Sequence, residues 1–156
     1  MATAELTPGW SWAHFDEISA RDLYDCIALR TAVFIIEQNC AYQDTDGIDS
    51  VSHHLWTRAD DGSVAAYLRV VPPGAKYVEP SLGRIITSAR ARGTGLGRAL
   101  VREGISRVES LYGPCAIRIG AQRYLLKFYE QLGFVSTGFE YDEDEIPHTE
   151  MLRPGV

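Results

Sequence analysis

The stretch Arg90-Ala91-Arg92-Gly93-Thr94-Gly95-Leu96-Gly97-Arg98-Ala99-Leu100 restricts the folds open to this chain more than any other. A strand-like run, Leu82–Thr87, leads into it, and a helix-like run, Leu96–Leu111, leaves it. So short a turn between the two commits this part of the chain to a strand–turn–helix unit. The first N–H groups of a helix have no internal partner, and the helix dipole is positive there. Gly93, Gly95 and Gly97 leave those amides uncovered, and Arg90, Arg92 and Arg98 add positive charge around them. A phosphate-bearing ligand is therefore expected at this turn. The plainer alternative is a tight turn with no ligand.

The remaining pattern extends the unit. Ser19 with Asp22 three residues on predicts a capped helix over 20–33, and Phe34–Ile48 reads as a second short helix or a loop. His53–Arg58 and Val64–Val71 read as a hairpin joined by Ala-Asp-Asp-Gly-Ser, and Ser81–Thr87 as the strand before the glycines. Cys115–Ala121 reads as a strand and Gln122–Leu132 as a helix closed by Gly133. Val135–Tyr141 and His148–Arg153 read as final strands around the acidic loop Asp142–Pro147. Strand–helix–strand order implies parallel neighbours in the sheet's centre, and hairpins imply antiparallel flanks. The expected class is α/β with α+β character: a mixed, largely antiparallel twisted sheet with helices on both faces.

At 156 residues, 46% of them hydrophobic, with no linker-like stretch, the chain is expected to form one domain over 1–156. The net charge of −6 argues against nucleic acid as a partner and suits a cationic substrate. Cys26, Cys40 and Cys115 form no CxxC pair, and the first twenty residues hold no long apolar run. A soluble protein of the reducing cytoplasm, with no membrane partner, is expected.

Several familiar sites are excluded. There is no GxxxxGK[ST] phosphate loop, no GxGxxG followed by a ribose-binding acid, and no GxSxG nucleophile elbow. Asp44, Asp46 and Asp49 lack the glycine placement of a calcium loop, whose twelfth position would be Leu55. They read as capping and turn residues with some attraction for a cation. His53-His54 lacks the context of a zinc site, so no metal is expected.

Two motifs remain. Arg90-x-x-Gly93-x-Gly95 follows a strand, and Phe128-Tyr129-Glu130-Gln131-Leu132-Gly133-Phe134 ends a second strand–helix unit. Together they resemble the acetyl-CoA-binding motifs of the GNAT-type N-acetyltransferases. Leu29 through Gly47, Gly83-Arg84-Ile85, Gly120-Ala121-Gln122 and Tyr141 through Met151 resemble the ElaA-like branch over nearly the whole chain. Glu145 departs from that branch, which commonly has glycine there.

The resemblance implies the GNAT acyl-CoA N-acyltransferase fold and direct transfer of acetyl from acetyl-CoA, a cosubstrate, to a small-molecule or peptide amine. The backbone of Arg92, Gly93, Thr94, Gly95, Leu96 and Gly97 would hold the diphosphate, with Arg98 beside it. Ile85, Ile86 and Thr87 would orient the thioester carbonyl. Gln122 would bond the pantetheine arm. Tyr129 would protonate the leaving thiolate, although phenols near ~10 and thiols near ~8.5 set intrinsic acidity against that step by about 2 kcal/mol; its other reading is a core aromatic. A lysine-like amine is only about one part in a thousand neutral at pH 7, so a base or water relay is needed. Glu37 is the first candidate, His148 the second, and His53 or His54 follow. The competing readings are a CoA-binding regulatory module without catalysis and an enzyme related to acyl-homoserine-lactone synthases. A homodimer is compatible with either.

Overall fold

The structure, a computed structural model, describes residues 8–155. Its main elements are β1 (Ser11–His14), α1 (Ala20–Arg30), β2 (His53–Arg58), β3 (Val64–Val71), β4 (Ser81–Thr87), α2 (Leu96–Tyr112), β5 (Ile117–Gln122), α3 (Leu126–Glu130), β6 (Val135–Glu143) and β7 (Ile146–Arg153).

Strand β3 explains how the layers assemble. All eight of its residues are buried, because helices cover both faces of its sheet. On one face Leu68 and Val70, with Leu82 of β4, meet Leu100, Val101, Ile105 and Val108 of α2. Burying each of these side chains contributes about 2 kcal/mol. Gly104 lets the helix come this close: a Cβ there would lie 2.9 Å from Leu68 Cδ2. On the other face Tyr67, Trp56 and Ile86 pack with Cys26 of α1 and with Val33.

The strands form two antiparallel sheets, β1-β2-β3-β4 and β5-β7-β6. The expected parallel neighbours, β4 and β5, lie side by side but share no ladder. One backbone bond ties their starting ends, where Arg118 N–H donates to the Pro80 carbonyl at 3.1 Å. Beyond it the strands part, and a cleft opens between Ile85–Thr87 and Ile119–Gln122. The sheet is thus mixed in neighbour order and antiparallel in every hydrogen-bonded pair among the described residues.

Other boundaries differ from the sequence reading for local reasons. Ser19 does cap α1, its Oγ accepting from Asp22 N–H at 3.0 Å. Beyond Arg30, however, the chain widens into a π-helical segment, Thr31–Glu37, with bonds such as Gln38 N–H to the Val33 carbonyl at 3.1 Å. The helix expected over 122–132 is shorter: Gln122 still belongs to the β5 ladder opposite His148, and a 3₁₀ turn, Arg123–Leu125, precedes α3. The acidic loop is the end of the β6–β7 hairpin, reversed by Asp144 (φ 51°) and Glu145 (φ 65°). Strand β1 was not expected at all. It is four residues long and half-exposed, too short to show a period. Among the described residues, no helix is long and apolar enough to cross a membrane.

Candidate active site

The glycine turn has a backbone geometry that its sequence explains. Gly93 (φ 76°) and Gly95 (φ 86°) sit in the left-handed region, and that conformation, rather than crowding, demands glycine: apart from its chain neighbours, none of the described residues comes within 4 Å of a Cβ built on Gly93. The first helical bond of α2 runs from Ala99 N–H to the Gly95 carbonyl at 3.1 Å. Of the amides from Gly93 to Arg98, only that of Leu96 finds a partner among the described residues, Thr94 Oγ1 at 3.4 Å. The others form a cradle of free donors at the positive end of a 17-residue helix. Leu96 itself anchors the turn by burying its side chain in the core.

The three nearby arginines already have partners. Arg90 reaches Asp61 at 2.5 Å, and Arg98 reaches Gln131 Oε1 at 2.5 Å. Arg92 forms a bidentate pair with Glu37, one contact being Nη2 to Oε2 at 2.6 Å. Both partners are exposed, so an incoming diphosphate can compete for Arg92 with little to overcome.

From this turn a cleft of about 520 Å³ runs between the parted strands. Ile85, Ile86 and Thr87 line one wall, Ile119, Gly120 and Gln122 the other, and Tyr129 the base. The far end holds Tyr42, Lys76, Arg84, Glu143, Asp144 and His148. A bulge in β4 shapes the first wall. Pairing with β3 slips between Ile86 and Gly83, and Arg84 takes φ 51°, a conformation costing a non-glycine residue about 1 kcal/mol. Its ion pair with Asp44 at 2.7 Å holds it there. On the second wall Gly120 leaves room for Tyr141: a Cβ would fall 2.1 Å from the Tyr141 hydroxyl, so that side chain would have to shift.

Tyr129 is buried yet borders the cleft, and its hydroxyl has no hydrogen-bond partner among the described residues. Burial pushes its phenol well above the ordinary range, so it suits hydrogen-bond donation to a sulfur anion better than full proton transfer. Its ring also packs edge-on against Phe128 and Phe134, as a core aromatic does. The Gln122 side chain faces that of Gln38 across the cleft at 3.4 Å, a bond long enough to yield to a pantetheine amide.

The base candidates separate clearly. His148 is buried on β7 and lines the cleft. Its Nδ1 lies 2.8 Å from the Ile146 carbonyl, which can only accept, so in the neutral ring Nδ1 carries the proton and Nε2 the lone pair. Glu143 Oε2 stands 3.7 Å from Nε2, and the Tyr141 ring stacks on the imidazole. Glu37 also lines the cleft, but Arg92 occupies its carboxylate and holds it below the usual range. In this arrangement it is a poor proton acceptor. His53 stacks on Trp12 at 4.8 Å away from the cleft. His54 is fully buried, with Nε2 donating to the Asp49 carbonyl at 3.1 Å and Nδ1 meeting the Tyr67 hydroxyl at 2.6 Å. Neither borders the cleft.

The aspartates expected to serve turns do more. Asp46 does accept from Ile48 N–H at 3.1 Å. The three carboxylates also neutralise three arginines: Asp44 binds Arg30 and Arg84, Asp49 binds Arg30 and Arg69, and Asp46 binds Arg69, each at 2.7–3.0 Å. The network clamps the 39–50 loop, and with it Tyr42, against β3 and β4. Periodicity could not reveal it, since the partners lie 14 to 40 residues apart.

Residues 23–153 match the family model described as the acetyltransferase (GNAT) domain. A UPF0039 protein of Synechocystis is 41% identical over 143 residues, covering 92% of this chain and 93% of the relative. Among solved structures, an acyl-CoA N-acyltransferase from Pseudomonas aeruginosa superposes with a TM-score of 0.87 at 36% identity, covering 93% of this chain and 99% of that one. Escherichia coli ElaA does so with a TM-score of 0.86 at 33% identity over 94% and 99%. An aminoglycoside 6'-N-acetyltransferase complexed with coenzyme A shares the fold alone, with a TM-score of 0.70 at 14% identity over 94% and 97%. The glycine cradle, the parted strands and these likenesses agree: the chain belongs to the GNAT acetyltransferase family, as a relative of ElaA and the UPF0039 proteins.

Proposed function

We propose that this protein transfers an acetyl group from acetyl-CoA to a primary amine, as a single-domain enzyme of the cytoplasm. The observation that carries the proposal is the row of amides from Gly93 to Arg98, all but that of Leu96 unpartnered among the described residues, at the mouth of the cleft that parts β4 from β5. The fold neighbour complexed with coenzyme A supports that choice of donor.

Each residue then has a task. The Gly93–Arg98 amides bind the diphosphate, and Arg92 leaves Glu37 to add its charge. Gln122 exchanges its weak bond to Gln38 for one to the pantetheine arm. Backbone donors of Ile85–Thr87, free of a ladder on the cleft side, steady the carbonyl oxygen as it gains charge. His148 Nε2 accepts the proton that the ammonium must lose before its nitrogen can attack, and Glu143 balances the charge the ring gains. Tyr129 donates a hydrogen bond to the departing sulfur. One N–C bond forms and one C–S bond breaks; of the two protons the ammonium nitrogen loses in becoming an amide, His148 passes one to solvent, and the other, lost as the tetrahedral adduct collapses, matches the one coenzyme A needs to leave as a thiol.

The test is thiol release from acetyl-CoA with a panel of amines, together with mass spectrometry of the products. An N-acetylated amine carrying the expected added mass supports the proposal. Calorimetric binding of coenzyme A with no product from any amine would favour the regulatory module instead.

A further inference from the structure

We propose that the protein selects coenzyme A by its ribose 3′-phosphate, which Arg102 of α2 and Lys127 of α3 receive on the outer side of the glycine turn. The proposal deepens the donor reading above and rests on it.

It follows from where positive charge is left over. Most of the 15 lysines and arginines lie within 4.0 Å of a carboxylate. Among the described residues, Arg21, Lys76, Arg98, Arg102 and Lys127 do not. Arg98, Arg102 and Lys127 gather where α2 packs on α3. Arg98 and Arg102 stand one turn apart on one face of α2. Lys127 and Gln131 are likewise one turn apart, the Gln131 N–H donating to the Lys127 carbonyl at 3.2 Å. The two faces meet: Arg98 reaches Gln131 Oε1 at 2.5 Å, and Arg102 and Gln131 border one hollow of about 310 Å³. Nearby carboxylates are mostly taken. Glu103 holds Arg107 at 2.9 Å, and Glu109, which borders the hollow, holds Arg153 at 3.4 Å. Glu130 of α3 has no cation within 4.0 Å among the described residues, which leaves these three cations against one carboxylate. On a chain of net charge −6 this is a local exception.

Coenzyme A supplies the missing charge. With its diphosphate on the Gly93–Arg98 amides and its pantetheine arm in the cleft, its nucleoside must leave the turn on the outer side. Arg90 is taken there by Asp61, and Arg92 serves the diphosphate. Helical side chains lean toward the N-terminus, which aims Arg102 back at the turn, with Arg98 between. A ribose 3′-phosphate hangs a few bonds from the diphosphate and carries close to two negative charges at neutral pH, as phosphomonoesters do.

The experiment titrates coenzyme A and 3′-dephospho-coenzyme A calorimetrically into the parent protein, Arg102→Gln, Lys127→Gln and the double variant. Both side chains are exposed, so the variants should melt with the parent. The parent is expected to bind coenzyme A about fivefold or more tighter than the dephospho form, with the advantage shrinking as salt rises. Each substitution should weaken coenzyme A alone, and the double variant should bring the ratio to about one. Equal binding of both cofactors by the parent, or variants that weaken both alike, would overturn the proposal and leave the donor reading standing. A parent that binds neither would sink the donor reading and the proposal together.

Discussion

Replacing Asp49 by asparagine tests whether the arginine–aspartate network holds the acceptor end of the cleft in place. The Asp49 carboxylate is buried and takes three guanidinium contacts: Arg30 at 2.7 and 3.1 Å, and Arg69 at 3.0 Å. Burial alone would raise its carboxyl, but the two guanidiniums overcome that and hold it low, and Asp46 behaves the same way beside Arg69. The amide of asparagine keeps the shape and removes the charge, leaving three buried or half-buried arginines with two aspartates. Removing one partner of a buried ion pair costs about 3–5 kcal/mol. A domain of this size loses about 2–4 °C per kcal/mol, so the melting temperature should fall by about 6–20 °C. The pH dependence has a fixed sign. Carboxyls held low in the folded state stabilise it above their unfolded pKa, near ~3.9, and that contribution disappears as pH falls through it and below. Thermal and urea melts between pH 3 and 7 are the assay. Asp49→Asn should lose most stability near neutrality and approach the parent protein in acid. A loss below about 1 kcal/mol at pH 7, or one that does not diminish in acid, would refute the reasoning.

Other expectations follow from single contacts. Tyr129→Phe keeps the ring packing but removes the donor at the sulfur, so turnover should fall about 10- to 100-fold with unchanged coenzyme A affinity; steady-state kinetics paired with calorimetry decides. His148→Gln should remove a deprotonation from the kcat/KM profile, whereas Glu37→Gln should leave that profile intact and slightly strengthen coenzyme A binding by releasing Arg92; the opposite pattern would make Glu37 the base. Glu145→Gly relieves a φ of 65° and should stabilise the fold by about 1 kcal/mol in urea melts.

Sequence reading reached the parts of this molecule that local chemistry dictates. The Ser19 cap, the hairpin turn at Gly62, the helix after Gly95 and the C-terminal stops at Gly113 and Gly133 each follow from residues adjacent to the feature. The free amides at Gly93–Arg98 were legible for the same reason. What escaped was long-range. Among the described residues β4 and β5 share one backbone bond, at Pro80, and part beyond it, whereas sequence order alone suggested an ordinary parallel ladder. The β4 bulge places an arginine at positive φ, which only its distant partner Asp44 explains. Glu37 and His148 were both visible as candidates, but not that Arg92 holds one and the Ile146 carbonyl orients the other, the contacts on which the proposed mechanism prefers His148. The two-residue acidic turn hid inside a run of charges that periodicity reads as loop.

Calorimetric titration of acetyl-CoA into the parent protein and into Gly95→Val puts the donor site to its most direct test. Valine cannot adopt the φ of 86° that turns the amides outward. The parent should bind one equivalent with an affinity that weakens as salt rises, and the variant should stay folded with binding reduced at least tenfold. No binding to the parent, or equal binding to both, would contradict the assignment of the glycine turn to the diphosphate.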